Sequence, residues 1–228
     1  MSDSASILKT SAPRLPRTAL HRDRLSRSWA ENRDRTAISV VAPKGFGKTT
    51  LMLQWRRSWL EQGGGFVGLH SAGDNSHDVW PWYQDTVIRA HFIGHPLDPQ
   101  FQRATLHIEQ PADPIVAALP APWSRTDEWY AFAKSPRAPD LRVLATIDEG
   151  TYAPGSFFGK ELAMGSDHPM IWKHCVGKGR VFYSALGHTG ESYAEPEYRE
   201  VLARAIAWAG RIGDPAAAAP GALACESD

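Results

Sequence analysis

The order of elements over residues 37–72 restricts the fold more than any other feature of the sequence. AISVVAP (37–43) is a β-branched apolar run that reads as a buried strand. The glycine-containing loop KGFGK leads into TTLMLQWRRSWLEQ (49–62), where Leu51, Leu53, Trp55, Trp59 and Leu60 share one side of a helix. GGG (63–65) ends that helix, and FVGLHSA (66–72) reads as a second buried strand. Strand, helix and strand in this order make one right-handed βαβ unit, which sets the class as α/β. Further strands are expected at RATLHIE (103–109), DLRVLATID (140–148), MIWKHC (170–175) and GRVFYSAL (179–186), with a closing amphipathic helix at 196–212.

Of the 228 residues, 43% are hydrophobic, enough to bury a core. The net charge of zero hides a split. Residues 1–62 carry 12 Lys/Arg against 5 Asp/Glu, and residues 63–228 carry 13 against 20. The basic, proline-punctuated segment 1–35 reads as a solvated arm, and the Ala/Pro/Gly-rich segment 213–228 as a disordered tail. The acidic second part disfavours nucleic-acid binding. No apolar run reaches the length of a membrane span, and the N-terminus has no apolar signal core, so a cytoplasmic location is expected. Two cysteines, Cys175 and Cys225, are too few and too unpatterned for a disulfide framework, which fits a reducing compartment.

The loop VVAPKGFGKTT (40–50) has the chemistry of a phosphate cradle. Gly45 and Gly47 let the backbone approach an anion, Lys48 reaches the β/γ-phosphates, and Thr49, with Thr50 beside it, offers a hydroxyl to Mg²⁺. This makes ATP with Mg²⁺ a candidate ligand. Residues 12–62 resemble the entry segment and Walker A unit of MalT-like, LuxR-type transcription regulators, whose resemblance implies an ATP-binding remnant. Hydrolysis also needs an acidic strand end and a group that positions water. Only RVLATIDE (142–149) offers the former, through Asp148 and Glu149.

From residue 63 onward the motifs are different. GGGFVGLHSA (63–72), WPWY (80–83), FIGHP (92–96), TDEWYAF (126–132), VLATIDEGTY (143–152), DHPMIWKH (167–174) and GKGRVFYSALGHTGESY (177–193) occur in the order of the ThuA-like, or trehalose utilisation, family. Residues 63–212 resemble that family. The resemblance implies a flavodoxin-like three-layer sandwich of the class I glutamine amidotransferase type, here N-terminally incomplete with a P-loop strand–helix fragment (36–62) in front. The expectation is a fusion with impaired core packing.

The related amidotransferases present a catalytic cysteine on a sharp strand-to-helix turn. GLHSA has His70 and Ser71 there, so thioester chemistry is not expected. The family implies a role in catabolism of trehalose, related disaccharides or their keto derivatives, with a small sugar as ligand.

Ligands of α/β sheets bind beyond strand ends. His70, His95, Asp127, Glu128 and His188 fall at such ends, and the resemblance, in whose motifs they recur, implies His70, Glu128 and His188 as the candidate catalytic residues, as acid and base on a sugar hydroxyl or carbonyl. Ser71, Trp82, His95, Asp127, Trp129 and His168 are candidate substrate contacts, the aromatic ones by stacking on the sugar's apolar face. A divalent metal at the histidine cluster is the alternative use of the same groups. His77, His91, His107 and His174 read as structural.

Overall fold

A computed structural model of the protein describes residues 59–74, 81–213 and Cys225. The expected strand at 37–43, the whole phosphate loop with Gly45, Gly47, Lys48, Thr49 and Thr50, and most of the following helix lie outside these described residues. The unit Leu60–Asp228 contains every element described below.

Six strands form the main sheet. In chain order they are β1 (Gly65–Leu69), β3 (Phe101–Ile108), β4 (Trp123–Glu128), β6 (Leu141–Asp148), β9 (Pro169–Val176) and β10 (Gly179–Ser184). Short pairs accompany them: β2 (Phe92–Gly94) with β5 (Ala131–Phe132), and β7 (Ser156–Phe157) with β8 (Lys160–Glu161). Across the sheet the order is β1-β10-β9-β6-β3-β4.

Only β1 and β10 pair in parallel; every other pairing in this sheet is antiparallel. The parallel sheet implied by a βαβ rhythm is thus corrected to a mixed one among the described residues. The turn at Gly177–Lys178 shows why. Two residues separate β9 from β10, and Gly177 takes φ +57°, so the chain reverses at once rather than crossing over.

The strand directions bring the same edge of the sheet to the ends of four strands. β1, β10, β6 and β4 run one way and finish there, while β9 and β3 run the other way and begin there. The residues just past or before those ends become neighbours although they are far apart in the chain.

The central strands β9 and β10 are buried almost throughout, as their near-continuous apolar runs require. β4 alternates instead, with Trp123, Arg125 and Asp127 facing inward. The closing helix Pro196–Ala209 starts on its proline and buries Tyr198, Val201, Ala205, Trp208 and Ala209. A large apolar side chain such as Val201 contributes about 1.5–3 kcal/mol on full burial. The core joins that face to Trp172, Phe182 and Tyr183 of the main sheet and to Phe132 of β5.

Two expectations need correction. The strand expected at 66–72 stops at Leu69, because His70 turns into a 3-10 segment with φ +41°. Cys175 and Cys225 are joined by a disulfide, against the expectation that two cysteines so spaced form no disulfide framework. Cys175 lies near the end of β9 and Cys225 is buried against the fold, a proximity that spacing along the chain does not encode.

Candidate functional site

The residues at that sheet edge form one connected polar cluster. His70 leaves β1 on a turn that holds it in the left-handed region, a conformation uncommon for any residue but glycine. Tyr183 of β10 donates to the His70 carbonyl at 2.9 Å and holds the turn in place. The ring of Tyr130 lies 4.1 Å from the His70 ring, tilted by 39°, and supports it from below.

His70 Nδ1 lies 2.9 Å from the carbonyl oxygen of Ala185. A carbonyl only accepts, so Nδ1 carries the proton and Nε2 is the atom turned to the site. That Nε2 stands 3.0 Å from Glu128 Oε2 and 3.0 Å from His188 Nδ1. His188 Nδ1 is 3.1 Å from the same carboxylate oxygen. The other oxygen, Oε1, accepts from the Gln100 amide and lies 3.3 Å from His95 Nδ1. Burial alone would push the Glu128 carboxyl up. The close His70 ring, the Gln100 amide that donates to it, and the nearby His95 and His188 rings outweigh burial and hold the carboxyl below its ordinary range.

Asp127 works one residue earlier. Its Oδ1 accepts the backbone N–H of Glu128 at 2.9 Å and of His188 at 3.1 Å, and its Oδ2 accepts from Gly187 N–H at 2.9 Å and from the Ser192 hydroxyl at 3.2 Å. One carboxylate therefore ties the end of β4 to the turn after β10. Arg125, buried beside it, forms ion pairs with Asp127 at 3.1 Å and Glu195 at 3.2 Å.

The cluster is closed on one side and open on the other. The side chains of His70 and Glu128 are 7% and 2% exposed, whereas that of His188 is 37% exposed. Aromatic rings lie near the open side. Phe101 lies 5.1 Å from the His188 ring and is itself exposed, Phe157 lies 5.2 Å from the His95 ring, and Tyr193 is exposed beside Gly187.

Of the residues singled out in the sequence, the fold brings together His70, Glu128, His188, His95 and Asp127. Ser71 is exposed on the turn next to His70. Trp129 is wholly buried and donates its indole N–H to the Gln102 carbonyl, and Trp82 packs against the small cluster around Leu60, Val87, Val176 and Val181. Neither forms a rim to the polar cluster. His168 is also fully buried, with Nδ1 2.8 Å from Glu149 and Nε2 2.8 Å from the Tyr130 carbonyl. It supports the tyrosine that supports His70. A cavity of about 350 Å³ opens beside Glu149, Asp148 and His107, and none of the three cluster residues lines it.

Gln100, Phe101 and Arg125 escaped the sequence reading. Gln100 immediately precedes β3 and Phe101 begins it, and both reach the site only because that strand runs opposite to its neighbours. Arg125 sits between serine and threonine in a polar stretch that carries no apolar run.

A mixed α/β sheet with a histidine–carboxylate cluster at its strand ends is a candidate small-molecule site, in the place where α/β folds put such sites. The ThuA family model, described as trehalose utilisation, matches residues 46–209, and the chain belongs to that family. The match begins inside the segment that resembles a regulator's Walker A unit, and no comparison supports a regulator fusion.

Among solved structures, a ThuA-like protein from Bacteroides uniformis is similar at 24% identity and a TM-score of 0.56, covering 74% of this chain and 66% of its own. A ThuA-like protein from Parabacteroides merdae is similar at 18% identity and a TM-score of 0.52, covering 77% of this chain and 68% of its own. The chain thus spans about two thirds of the length of these structures, which share its fold. No curated protein matches the chain. Among the described residues no helix is long and apolar enough to cross a membrane.

Proposed function

We propose that the chain binds a small sugar, a disaccharide such as trehalose or its keto derivative, over the His70–Glu128–His188 cluster and acts on it there. The observation that carries this reading is the convergence of those three side chains beside the exposed ring of Phe101. Phe101 and Tyr193 offer apolar faces on which the C–H face of a pyranose stacks. The cluster beneath offers a carboxylate and two imidazoles to a sugar hydroxyl or carbonyl, the groups that proton transfer at such atoms requires. Membership in a family described by trehalose utilisation supports the substrate class. Nothing among the described residues favours nucleotide binding as a second reading.

Thermal unfolding with trehalose, and separately with a 3-keto-disaccharide, tests the proposal. A rise in melting temperature with one of these sugars, lost in His188→Ala, is expected. Because His188 is partly exposed, its removal leaves the core intact. No shift with either sugar, or an equal shift in His188→Ala, sinks the reading.

A further inference from the structure

We propose that His70 Nε2, Glu128 Oε2 and His188 Nδ1 form one face of a binding site for a divalent first-row transition metal ion. This inference deepens the chemistry of the sugar reading but rests on the cluster's own geometry.

The three atoms make a nearly equilateral triangle with edges of 3.0, 3.0 and 3.1 Å. Neighbouring ligands of an octahedral ion with bonds of about 2.1 Å stand about 3.0 Å apart, and those of a tetrahedral ion about 3.4 Å. The observed edges fit an octahedral face. Two imidazoles and one carboxylate on a face with open positions are the donor set that suits iron, manganese, cobalt or nickel in the divalent state, with zinc as the tetrahedral alternative. Magnesium and calcium prefer all-oxygen sets and fit poorly.

The surroundings match what a metal site needs beyond its ligands. Two of the ligands are oriented by a partner on the far side of the side chain, and the third is anchored through its backbone. The His70 Nδ1–H donates to Ala185, which directs the Nε2 lone pair into the triangle. Glu128 Oε1 is held by Gln100, leaving Oε2 for the ion. Asp127 fixes the backbones of both Glu128 and His188 through one carboxylate oxygen, so two of the three ligands share a single anchor. The entry path is the exposed side of His188. Positions on the ion that the protein does not fill face that opening, below Phe101, where a sugar carbonyl or a vicinal pair of hydroxyls coordinates and is polarised.

The competing arrangement needs no ion. A proton on His188 Nδ1 shared between Glu128 Oε2 and His70 Nε2 satisfies the same three distances, and the experiment separates the two. Full-length protein without an affinity tag is stripped with chelator and titrated calorimetrically with Mn²⁺, Co²⁺, Ni²⁺ and Zn²⁺.

Binding of one ion per chain is expected, weakened beyond about 100-fold in His188→Ala, since loss of even an outer partner costs about 10–100-fold. Visible bands of the Co²⁺ complex should be lost in the same variant. His107→Ala, an exposed histidine outside the cluster, should bind as the wild type does. Glu128→Gln provides a second ligand variant with the shape of the side chain kept. No stoichiometric binding of any of the four ions, or binding unchanged in His188→Ala, overturns the inference. A sugar-induced stabilisation that persists without metal binding overturns it while leaving the sugar reading in place. Metal binding without any sugar response does the reverse.

Discussion

Glu149 shows how a single side chain is set by its surroundings. Burial alone would raise its carboxyl, but hydrogen bonds from His168 and from the backbone N–H groups of Met164 and Gly165 outweigh that and hold it below its ordinary value of 4.5. A folded-state value below the unfolded one contributes stability that is complete above the unfolded value and drains away as pH falls through the folded one. Glu149→Gln should therefore cost about 1.5–3 kcal/mol at neutral pH, the range for hydrogen bonds to a charged group. Urea unfolding of both proteins at pH 7 and at pH 3.5 measures this. The gap between wild type and variant should narrow at the lower pH; an equal gap at both would show that the carboxylate's charge is not what matters. The sequence showed Asp148 and Glu149 as an acidic strand end, and nothing in that local pattern distinguished an anchor for His168 from a magnesium ligand.

At the level of elements, the turn between β10 and the closing helix decides where His188 stands. Gly187 has φ +105°, a region where side chains other than glycine are strained, and an added Cβ would meet the Tyr193 hydroxyl at 2.9 Å and the Tyr198 hydroxyl at 3.1 Å. Gly187→Ala should lower stability by about 1–3 kcal/mol and weaken whatever ligand His188 contacts. Sugar-induced and metal-induced shifts in melting temperature report the second effect, and full retention of both would show that the turn tolerates a side chain.

Legibility varied across the elements for reasons of packing. β3, β6, β9, β10 and the closing helix lie where apolar runs and periodicity place them, to within two or three residues at each end. β4 was not read because its inward side chains include Arg125 and Asp127, whose burial is made possible by each other and by Glu195. A pattern search scores such a strand as a polar loop, yet it carries Glu128. The pairs β2–β5 and β7–β8 involve strands of two or three residues, too short for any alternation to register.

For the molecule as a whole, the disulfide ties β9 to a cysteine 50 residues further along. A cross-link over a loop of that length contributes about 2–4 kcal/mol, chiefly by restricting the unfolded chain. Cys225→Ser, or reductant added to the wild type, should lower the unfolding free energy by that amount. The two changes should not add, because each removes the same constraint. A melting temperature indifferent to reductant would show that the cross-link is dispensable for the fold.

Read alone, the sequence determined the α/β class, the positions of the strands that carry apolar runs, the family resemblance, and five of the polar residues that meet at one sheet edge. These are properties of local composition and of motif order. Tertiary structure alone decided which strands are neighbours and which way they run, since alternation says which face a residue takes but not which partner lies beside it. That decision brings Ala185 to His70, Asp127 to the backbone of His188, and Gln100 to Glu128, contacts separated by 28 to 115 residues along the chain. It also paired Cys175 with Cys225 and turned Trp129 into core. The candidate residues were legible because their chemistry is carried by their own side chains; the cluster was not, because it exists only in the distances between them.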